Sequence, residues 1–129
     1  MTYQAEQAAA VGPTFSSAHP GFTGRGYLDY QHAAGDYIEF VVDAAGPGAY
    51  ALDFLYANGG ATARALELRV DGQVLDEGLS FAPTGAWRNW ATVTRTVLLA
   101  PGRHTVRLTA VGQSGPNLDA LTVTPGAGL

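Results

Sequence analysis

The sequence predicts an all-β domain, a β-sandwich or jelly roll, and three features support that prediction. Glycine and proline recur throughout the 129 residues, 17 and 7 times, and no segment shows the hydrophobic period of a helix. Apolar residues instead alternate with polar ones over short stretches. Turn residues separate these stretches at the spacing of an antiparallel sandwich, with no helices between them.

The alternating stretches can be assigned to strands in order along the chain. The first clear strand carries Ile38, Phe40 and Val42 on one face. Two further apolar rows of one parity follow: Tyr50, Leu52, Phe54 and Tyr56, then Leu66, Leu68 and Val70. Asp71 and Gly72 predict a type I′ hairpin turn, because both residue types tolerate positive φ. Later strands are predicted near 91–98, 103–111 and 118–124.

Size and composition limit the possible functions. The chain has 129 residues, 47% of them hydrophobic, so we expect one domain over residues 1–125 and a linker remnant at 126–129. A net charge of −4 and scattered arginines argue against nucleic acid binding. There is no cysteine for a disulfide or thiolate metal site, and no apolar stretch long enough to span a membrane. We expect a monomer with neither nucleic acid nor membrane as partner.

Two tryptophans three residues apart, Trp87 and Trp90, are the most informative feature of the sequence. Trp90 heads an alternating run and is predicted to pack inward. Trp87 lies between Gly85 and two polar residues, and is predicted to be exposed at the rim of the sandwich. An exposed indole beside polar groups suits sugar recognition, because a pyranose ring has apolar C–H faces and a hydroxyl edge. The alternative is that Trp87 covers an open end of the sandwich.

Three oxygen-bearing side chains near the two ends of the chain suggest a cation site. Gln4 and Glu6 lie two residues apart on the first predicted strand, so both point to one face. Asp119 shares the parity of the buried residues of the last strand, where an unpaired carboxylate would be costly. Calcium accepts such a mixed set of oxygen ligands, and it would tie the first strand to the last if they are neighbours. The alternative is an exposed Glu6 and an Asp119 that caps a turn.

A series of short motifs runs along essentially the whole chain. They are residues 3–8, 24–29, 35–40, 48–50, 56–59, 70–72, 84–90, 99–105 and 117–119. In this order they resemble carbohydrate-binding module families 6 and 35, and the Tyr-Ala-Asn-Gly motif at 56–59 favours family 35. The resemblance implies a galactose-binding-like jelly roll without catalytic activity. It also implies a secreted, extracellular protein in which the module is joined to a catalytic domain that degrades plant or algal polysaccharides.

The resemblance assigns roles to particular residues. In such modules a structural calcium is held by the first strand and by the aspartate that opens the last one, which correspond here to Gln4, Glu6 and Asp119. Gln4 stands where the family often has glutamate, which implies one ligand charge fewer and weaker calcium binding. The ligand site lies in the loops at one end of the sandwich, and by motif it falls on Tyr27, Asn58, Trp87 and Asn117, with Tyr30 as a further candidate. The aromatic rings would flank a sugar, and the two asparagines would bond its hydroxyls.

Arg64 bears on which sugar is bound. It begins a strand and shares the parity of Leu66, so it could fold over the rim of the sandwich and hold a uronate carboxylate through two hydrogen bonds. The alternative is a pairing with Asp29 or Asp53. The function expected is therefore calcium-dependent binding of glucuronic or unsaturated galacturonic acid termini. Binding of neutral galactose- or mannose-type glycans, and a role as spacer or protein-interaction module, remain alternatives.

No catalytic arrangement is recognisable in the sequence. Three acidic residues fall on the polar faces of separate predicted strands, where we expect them to be solvated: Glu39, Asp53 and Glu67. No pair of carboxylates is placed to act as acid and base across a scissile bond. His19, His32 and His104 are isolated, and we expect ordinary surface or loop residues. The chain is predicted not to be an enzyme.

Overall fold

The computed structural model describes residues 1–126, which form two antiparallel sheets packed face to face. The strands are β1 (Thr2–Gln4), β2 (Ala9–Val11), β3 (Thr14–Ser16), β4 (Tyr27–Asp29), β5 (Ala34–Ala44), β6 (Gly48–Ala57), β7 (Arg64–Val70), β8 (Gln73–Phe81), β9 (Ala91–Leu99), β10 (Gly102–Val111) and β11 (Asn117–Pro125). One turn of 3-10 helix spans Ala5–Gln7. The predicted all-β sandwich is confirmed.

The two sheets bring the ends of the chain together. The first sheet has the order β3-β4-β11-β6-β9, and β1 also pairs with β11. The second has the order β2-β5-β10-β7-β8. In the pairing of β1 with β11, Thr2 lies opposite Thr122 and Gln4 opposite Ala120. The first and last strands are therefore neighbours, as the cation-site hypothesis requires.

The alternating apolar rows face each other and form the core. Ile38, Phe40 and Val42 of β5 are buried, and so is every apolar residue of the predicted β6 and β7 rows. The hairpin turn has positive φ at both central residues, 52° at Asp71 and 81° at Gly72, as a type I′ turn requires. Strands β2, β3 and β4 were not predicted, because three-residue strands are too short to show a period.

An ion pair at the end of the sandwich opposite to the β6–β7 loop joins the hairpin to β10. The Nδ1 atom of His104 lies 2.6 Å from Asp71 Oδ2, and Nε2 lies 2.7 Å from the Ala100 carbonyl oxygen. Both ring nitrogens face oxygen acceptors, so the protonated imidazolium is the form that fits. The hydrogen bond to Asp71 is the main cause that raises the pKa of His104.

The stability of the fold should fall as His104 loses its proton. The pKa of His104 is higher in the folded protein than in the unfolded chain, where it is about 6.5. The ion pair therefore stabilises the protein fully at pH values below about 6.5, and this stabilisation is lost as the pH rises through the pKa of the folded protein. We expect loss of this ion pair to lower the Tm by about 2 °C between pH 6 and pH 8. The Tm of the His104→Gln variant should not show this part of the pH dependence. Thermal unfolding followed by circular dichroism tests this; identical pH profiles would contradict it.

The C-terminal residues bear on the predicted linker remnant at 126–129. The amide of Gly126 donates a hydrogen bond of 2.8 Å to the carbonyl oxygen of Ala49, so the backbone is still tied to β6 at this point. The remaining three residues of that prediction lie outside the described part of the chain. Within residues 1–126, no helix has the length and apolar character needed to cross a membrane.

Candidate functional site

A groove of about 280 Å³ lies at the end of the sandwich where β4, β6 and β10 finish and where β7 and β11 begin. It is lined by His19, Asp29, Tyr30, Gln31, Arg64, Trp87, Ser114 and Asn117. These residues come from separate segments of the chain, which the antiparallel topology brings to one end. Four of the six predicted ligand residues are among them: Tyr30, Arg64, Trp87 and Asn117.

Trp87 is half-buried at the rim of the sandwich and is not part of its core. Its ring packs closely on Gly59, where an added Cβ would lie 2.5 Å from Trp87 Cδ1. The guanidinium carbon of Arg64 lies 5.0 Å from the ring centroid, a cation–π contact. The His19 ring lies 6.5 Å away with its plane tilted by 30°. The indole is thus held in a defined orientation at the groove.

The loop that carries Trp87 is itself fixed by hydrogen bonds. The amide of Thr84 donates to the Asn58 carbonyl oxygen at 2.8 Å, and the Thr84 carbonyl oxygen accepts from Asn89 Nδ2 at 3.1 Å. Gly85, which follows Thr84, has a φ of +93°, a backbone conformation that residues other than glycine rarely adopt. The turn therefore presents Trp87 as a preformed surface.

Arg64 brings a positive charge into the groove. Its Nη1 atom donates to Ser114 Oγ and to the Gly115 carbonyl oxygen, both at 3.3 Å. Neither Asp29 nor Asp53 forms an ion pair with it, and no carboxylate in residues 1–126 lies within salt-bridge distance of its guanidinium. No direct ion pair therefore holds the Arg64 guanidinium in the described residues, although its charge acts on Asp29 nearby.

Asp29 places a negative charge in the same groove. Burial raises the pKa of its carboxyl group, and the positive charge of Arg64 opposes that shift. A carboxylate and a guanidinium that are not bonded to each other both face this space. The groove therefore offers two opposite charges at different places along its length.

Asn117 has a polar side chain that the protein leaves without a partner. It opens β11 and pairs through its backbone with Asp29 on one side and Ala57 on the other, and only 4% of its surface is exposed. Its side-chain amide makes no hydrogen bond within the described residues, although it lines the groove. The donor and the acceptor of this amide are both unused by the described part of the protein, so the group is available to a ligand in the groove.

Tyr30 contributes only its ring to the wall of the groove. It is buried, and its hydroxyl donates a hydrogen bond of 2.8 Å to the Leu108 carbonyl oxygen. Burial raises its pKa well above the ordinary value. The adjacent Gly115 packs directly on the ring. The hydroxyl is therefore committed to the fold.

Tyr27 does not line the groove, which corrects the prediction that it flanks a sugar. Only 1% of its surface is exposed, and its ring packs against Phe22 and Trp90 with centroid distances of 5.8 and 5.2 Å. Its hydroxyl accepts hydrogen bonds of 3.2 Å from the amide of His19 and from Ser16 Oγ. The tyrosine anchors the segment above it and cannot reach a ligand.

Asn58 is also corrected, because its amide is fully used inside the protein. Its Nδ2 donates to the carbonyl oxygens of Thr62 and Phe81, each at 3.0 Å, and its Oδ1 accepts from the amide of Gly60 at 2.9 Å. The side chain is completely buried. Asn58 therefore shapes the loop on which Trp87 rests and has no group left for a hydroxyl.

Trp90 was expected to pack inward, and the structure places it outside the core instead. It is half-buried, its ring lies against Tyr27, and its Nε1 donates to the Pro20 carbonyl oxygen at 2.8 Å. Gly21 also packs on the indole. Together, Tyr27 and Trp90 position His19, which lines the groove. The sequence predicted an ordinary surface residue at this position, because no local signal links His19 to Trp87.

The predicted cation ligands meet around a second loop. Gln4 ends β1 and Glu6 lies in the 3-10 turn, so they do not share a strand as predicted. They converge on Gly24 instead, where an added Cβ would lie 2.8 Å from Gln4 Oε1 and 2.9 Å from Glu6 Oε2. Gly24 has a φ of +63°, which favours glycine.

Asp119 completes this cluster from β11, where a register shift between Leu118 and Ala120 turns its side chain inward. Its Oδ2 accepts hydrogen bonds from the amide and the hydroxyl of Thr23, at 2.6 and 2.7 Å. Its Oδ1 and Glu6 Oε1 are buried without any hydrogen-bond partner. Burial raises the pKa of Asp119, and the charge of Glu6 raises it further.

Two buried carboxylate oxygens without hydrogen-bond partners form a cluster that suits a cation. Within residues 1–126 no group of three or more histidine, cysteine, aspartate or glutamate side chains could hold a metal. An ion here would therefore have two carboxylates and otherwise neutral oxygens, such as the Gln4 amide. A hard cation with flexible coordination fits this donor set better than zinc does.

A larger depression, of about 580 Å³, covers the outer face of the second sheet, but its polar groups satisfy one another. The Arg107 guanidinium lies 3.8 Å from the centroid of the Tyr37 ring and bonds Glu39 at 3.0 Å. Arg69 bonds Glu67 at 2.6 Å in the same surface. Both arginines of this face are paired with glutamates, whereas Arg64 in the groove is not paired within residues 1–126, so this face has less to offer an acidic ligand than the groove.

Comparison with known proteins shows the family and the fold of the chain. The family model described as carbohydrate binding module (family 6) matches residues 4–125. The exo-beta-D-glucosaminidase of Amycolatopsis orientalis is 38% identical over 124 residues, which are 95% of this chain and 12% of that protein. The chain spans between 12% and 20% of the length of the first four curated relatives that it matches.

Solved structures show the same fold over 98% of the chain. A family 35 carbohydrate binding module from Clostridium thermocellum is 35% identical, with a TM-score of 0.94 and coverage of 98% of both chains. A second structure, described as Xyl-CBM35 in complex with a glucuronic acid containing disaccharide, is 33% identical. Its TM-score is 0.86, with coverage of 98% of this chain and 94% of that one.

Proposed function

Because this chain belongs to carbohydrate-binding module family 6 and folds as family 35 modules do, we propose that it binds uronic acid termini of polysaccharides in its loop-end groove. The chain is a binding domain and not a catalytic one, as the sequence predicted. We propose further that sugar binding depends on calcium and that the protein is extracellular. Its role is to hold a polysaccharide-degrading catalytic domain, carried by the same polypeptide, near its substrate.

The observation that carries this proposal is the pair of unused polar groups beside a fixed indole. Arg64 offers a guanidinium without an ion-pair partner in the described chain, and Asn117 offers a side-chain amide that makes no hydrogen bond there. Trp87 lies next to both in one groove. A sugar whose C–H face rests on the indole could place hydroxyls at the amide and a carboxylate at the guanidinium.

One relative supports the choice of an acidic sugar. Xyl-CBM35, whose structure is in complex with a glucuronic acid containing disaccharide, is 33% identical to this chain over almost its full length. Arg64 gives this chain a group of suitable charge and geometry, since a planar guanidinium can hold a carboxylate through two hydrogen bonds. A neutral glycan would leave that charge without a partner.

We also propose that calcium is bound by Glu6, Asp119 and Gln4. The two partnerless carboxylate oxygens and the raised pKa of Asp119 support this assignment, because a cation would remove the cost of both. The ion would have a structural role: its positive charge would join the 3-10 turn after β1 to β11. It lies in a different cluster from the groove residues.

Titration with defined sugars tests the proposal. We expect glucuronic and galacturonic acid to change tryptophan fluorescence, and mannose and galactose oligomers to change it far less. A glycan array probed with and without chelator extends the test to polymers. Binding of neutral glycans alone would contradict the proposal of an acidic ligand. If no glycan on the array binds, a role as spacer or protein-interaction module is favoured.

Replacement of Arg64 by alanine should weaken uronate binding about tenfold to 100-fold, because a hydrogen-bonded charged partner contributes about 1.5–3 kcal/mol. Any residual binding of neutral sugars should fall much less. Isothermal titration calorimetry provides the affinities. Arg88→Ala is the matched control, since it removes an exposed arginine next to Trp87. Equal losses for acidic and neutral sugars would dismiss the carboxylate contact.

A further inference from the structure

We propose that His19 is a selectivity residue of the groove, and that its protonation strengthens the binding of acidic sugars. This inference rests on the proposed function of the groove and adds a titratable contact to it. Three observations carry it: the anchoring of the residue, the position of its ring, and the balance of charge around that ring.

His19 is held in place by two aromatic residues that do not line the groove. Its backbone amide donates a hydrogen bond of 3.2 Å to the buried hydroxyl of Tyr27. The carbonyl oxygen of the next residue, Pro20, accepts from Trp90 Nε1 at 2.8 Å. The segment is therefore fastened on both sides of the histidine, so its position in the groove is built into the fold.

The imidazole ring faces the groove with its nitrogens free. It is half-buried and lies 6.5 Å from the ring of Trp87, with the two planes tilted by only 30°. Neither ring nitrogen forms a hydrogen bond within residues 1–126, in contrast to His32, which bonds Asp36, and His104, which bonds Asp71. A sugar resting on Trp87 would meet this ring beside it.

The charges around His19 make its protonation state matter. The charged groups that line the groove with it are Asp29 from the end of β4 and Arg64 from the start of β7, and their formal charges cancel. Tyr30 stays neutral because burial raises its pKa well above the ordinary value. Histidine is the side chain that gains charge between pH 8 and pH 5. Protonation would therefore turn a neutral groove into a cationic one, which favours a carboxylate.

The test is the affinity for methyl β-glucuronide, measured by calorimetry at about pH 5.5 and about pH 8. We expect the parent chain to bind about threefold to tenfold more tightly at the lower pH. His19→Gln should lose most of that difference and bind with nearly the same affinity at both pH values, because its amide cannot gain a charge. His104→Gln, a change at the opposite end of the sandwich, should retain the full difference.

Asp29 supplies the rival explanation, because loss of its negative charge at low pH would also favour an anionic ligand. Asp29→Asn separates the two: it should keep the pH dependence if His19 is responsible. A pH dependence that survives in His19→Gln and disappears in Asp29→Asn would overturn the inference. Equal affinities of the parent at both pH values would overturn it as well, whereas absence of binding at both would overturn the proposed function too.

Discussion

Replacement of Trp87 by alanine is expected to reduce sugar affinity by about 30-fold or more, which corresponds to about 2 kcal/mol of binding free energy. The indole is the largest aromatic side chain that lines the groove, and a ligand resting on it would exclude water from the sugar's C–H face. Its ring is already oriented by Gly59 and Arg64, so little ordering entropy is lost on binding.

The same substitution should leave the fold intact, since Trp87 is outside the core. We expect the Tm of Trp87→Ala to stay within about 3 °C of the parent. Trp87→Phe is the matched variant, and it should recover part of the affinity because a smaller ring still offers a flat face. Calorimetry with glucuronic acid gives the values, and an unchanged affinity in Trp87→Ala would refute the stacking role.

Removal of calcium should have the largest effect on stability. If the site is saturated about 100-fold above its dissociation constant, the ion contributes about 2.7 kcal/mol, and chelator should lower the Tm by about 8 °C. The reason is that two buried carboxylate oxygens, on Glu6 and Asp119, have no other partner. Differential scanning calorimetry with calcium or with chelator measures the shift.

Asp119→Asn gives this prediction an internal control. The asparagine oxygen can still accept the hydrogen bonds of Thr23. The substitution also removes the charge repulsion with Glu6, which contributes to the raised pKa of Asp119. In chelator the variant should therefore be at least as stable as the parent, and in calcium it should be less stable. A parent Tm that does not respond to chelator would show that the cluster holds no structural ion.

The fold could be predicted from the sequence because its strands have clear periods and clear ends. Ile38, Phe40 and Val42 alternate with polar residues, and the Asp71-Gly72 dipeptide specifies its hairpin. These signals lie within a few residues of one another, so no tertiary information is needed to read them. The short strands β2, β3 and β4 depend on their partners and carry no such signal.

The site could be predicted only in part, because long-range packing decides which groups are free. Tyr27 and Asn58 have suitable chemistry for a sugar, but their polar atoms are taken up by His19 and by the loop 58–62. Conversely, the sequence gives no sign that His19 and Trp87 meet, since a separate loop carries each of them. Residue type predicts what a side chain can do, and only the structure shows which partner it already has.

The most direct test of the central claim is a titration with glucuronic acid followed by ¹H–¹⁵N NMR. The two tryptophans give separate indole signals, and only Trp87 lines the groove, while the Trp90 indole is bonded to Pro20. We expect the Trp87 indole and the backbone amides around Arg64 and Asn117 to shift with one affinity, while the amides on the outer face of the second sheet, around Arg69 and Arg107, stay unaffected. Shifts confined to the outer face of that sheet, or an unmoved Trp87 signal, would contradict the account.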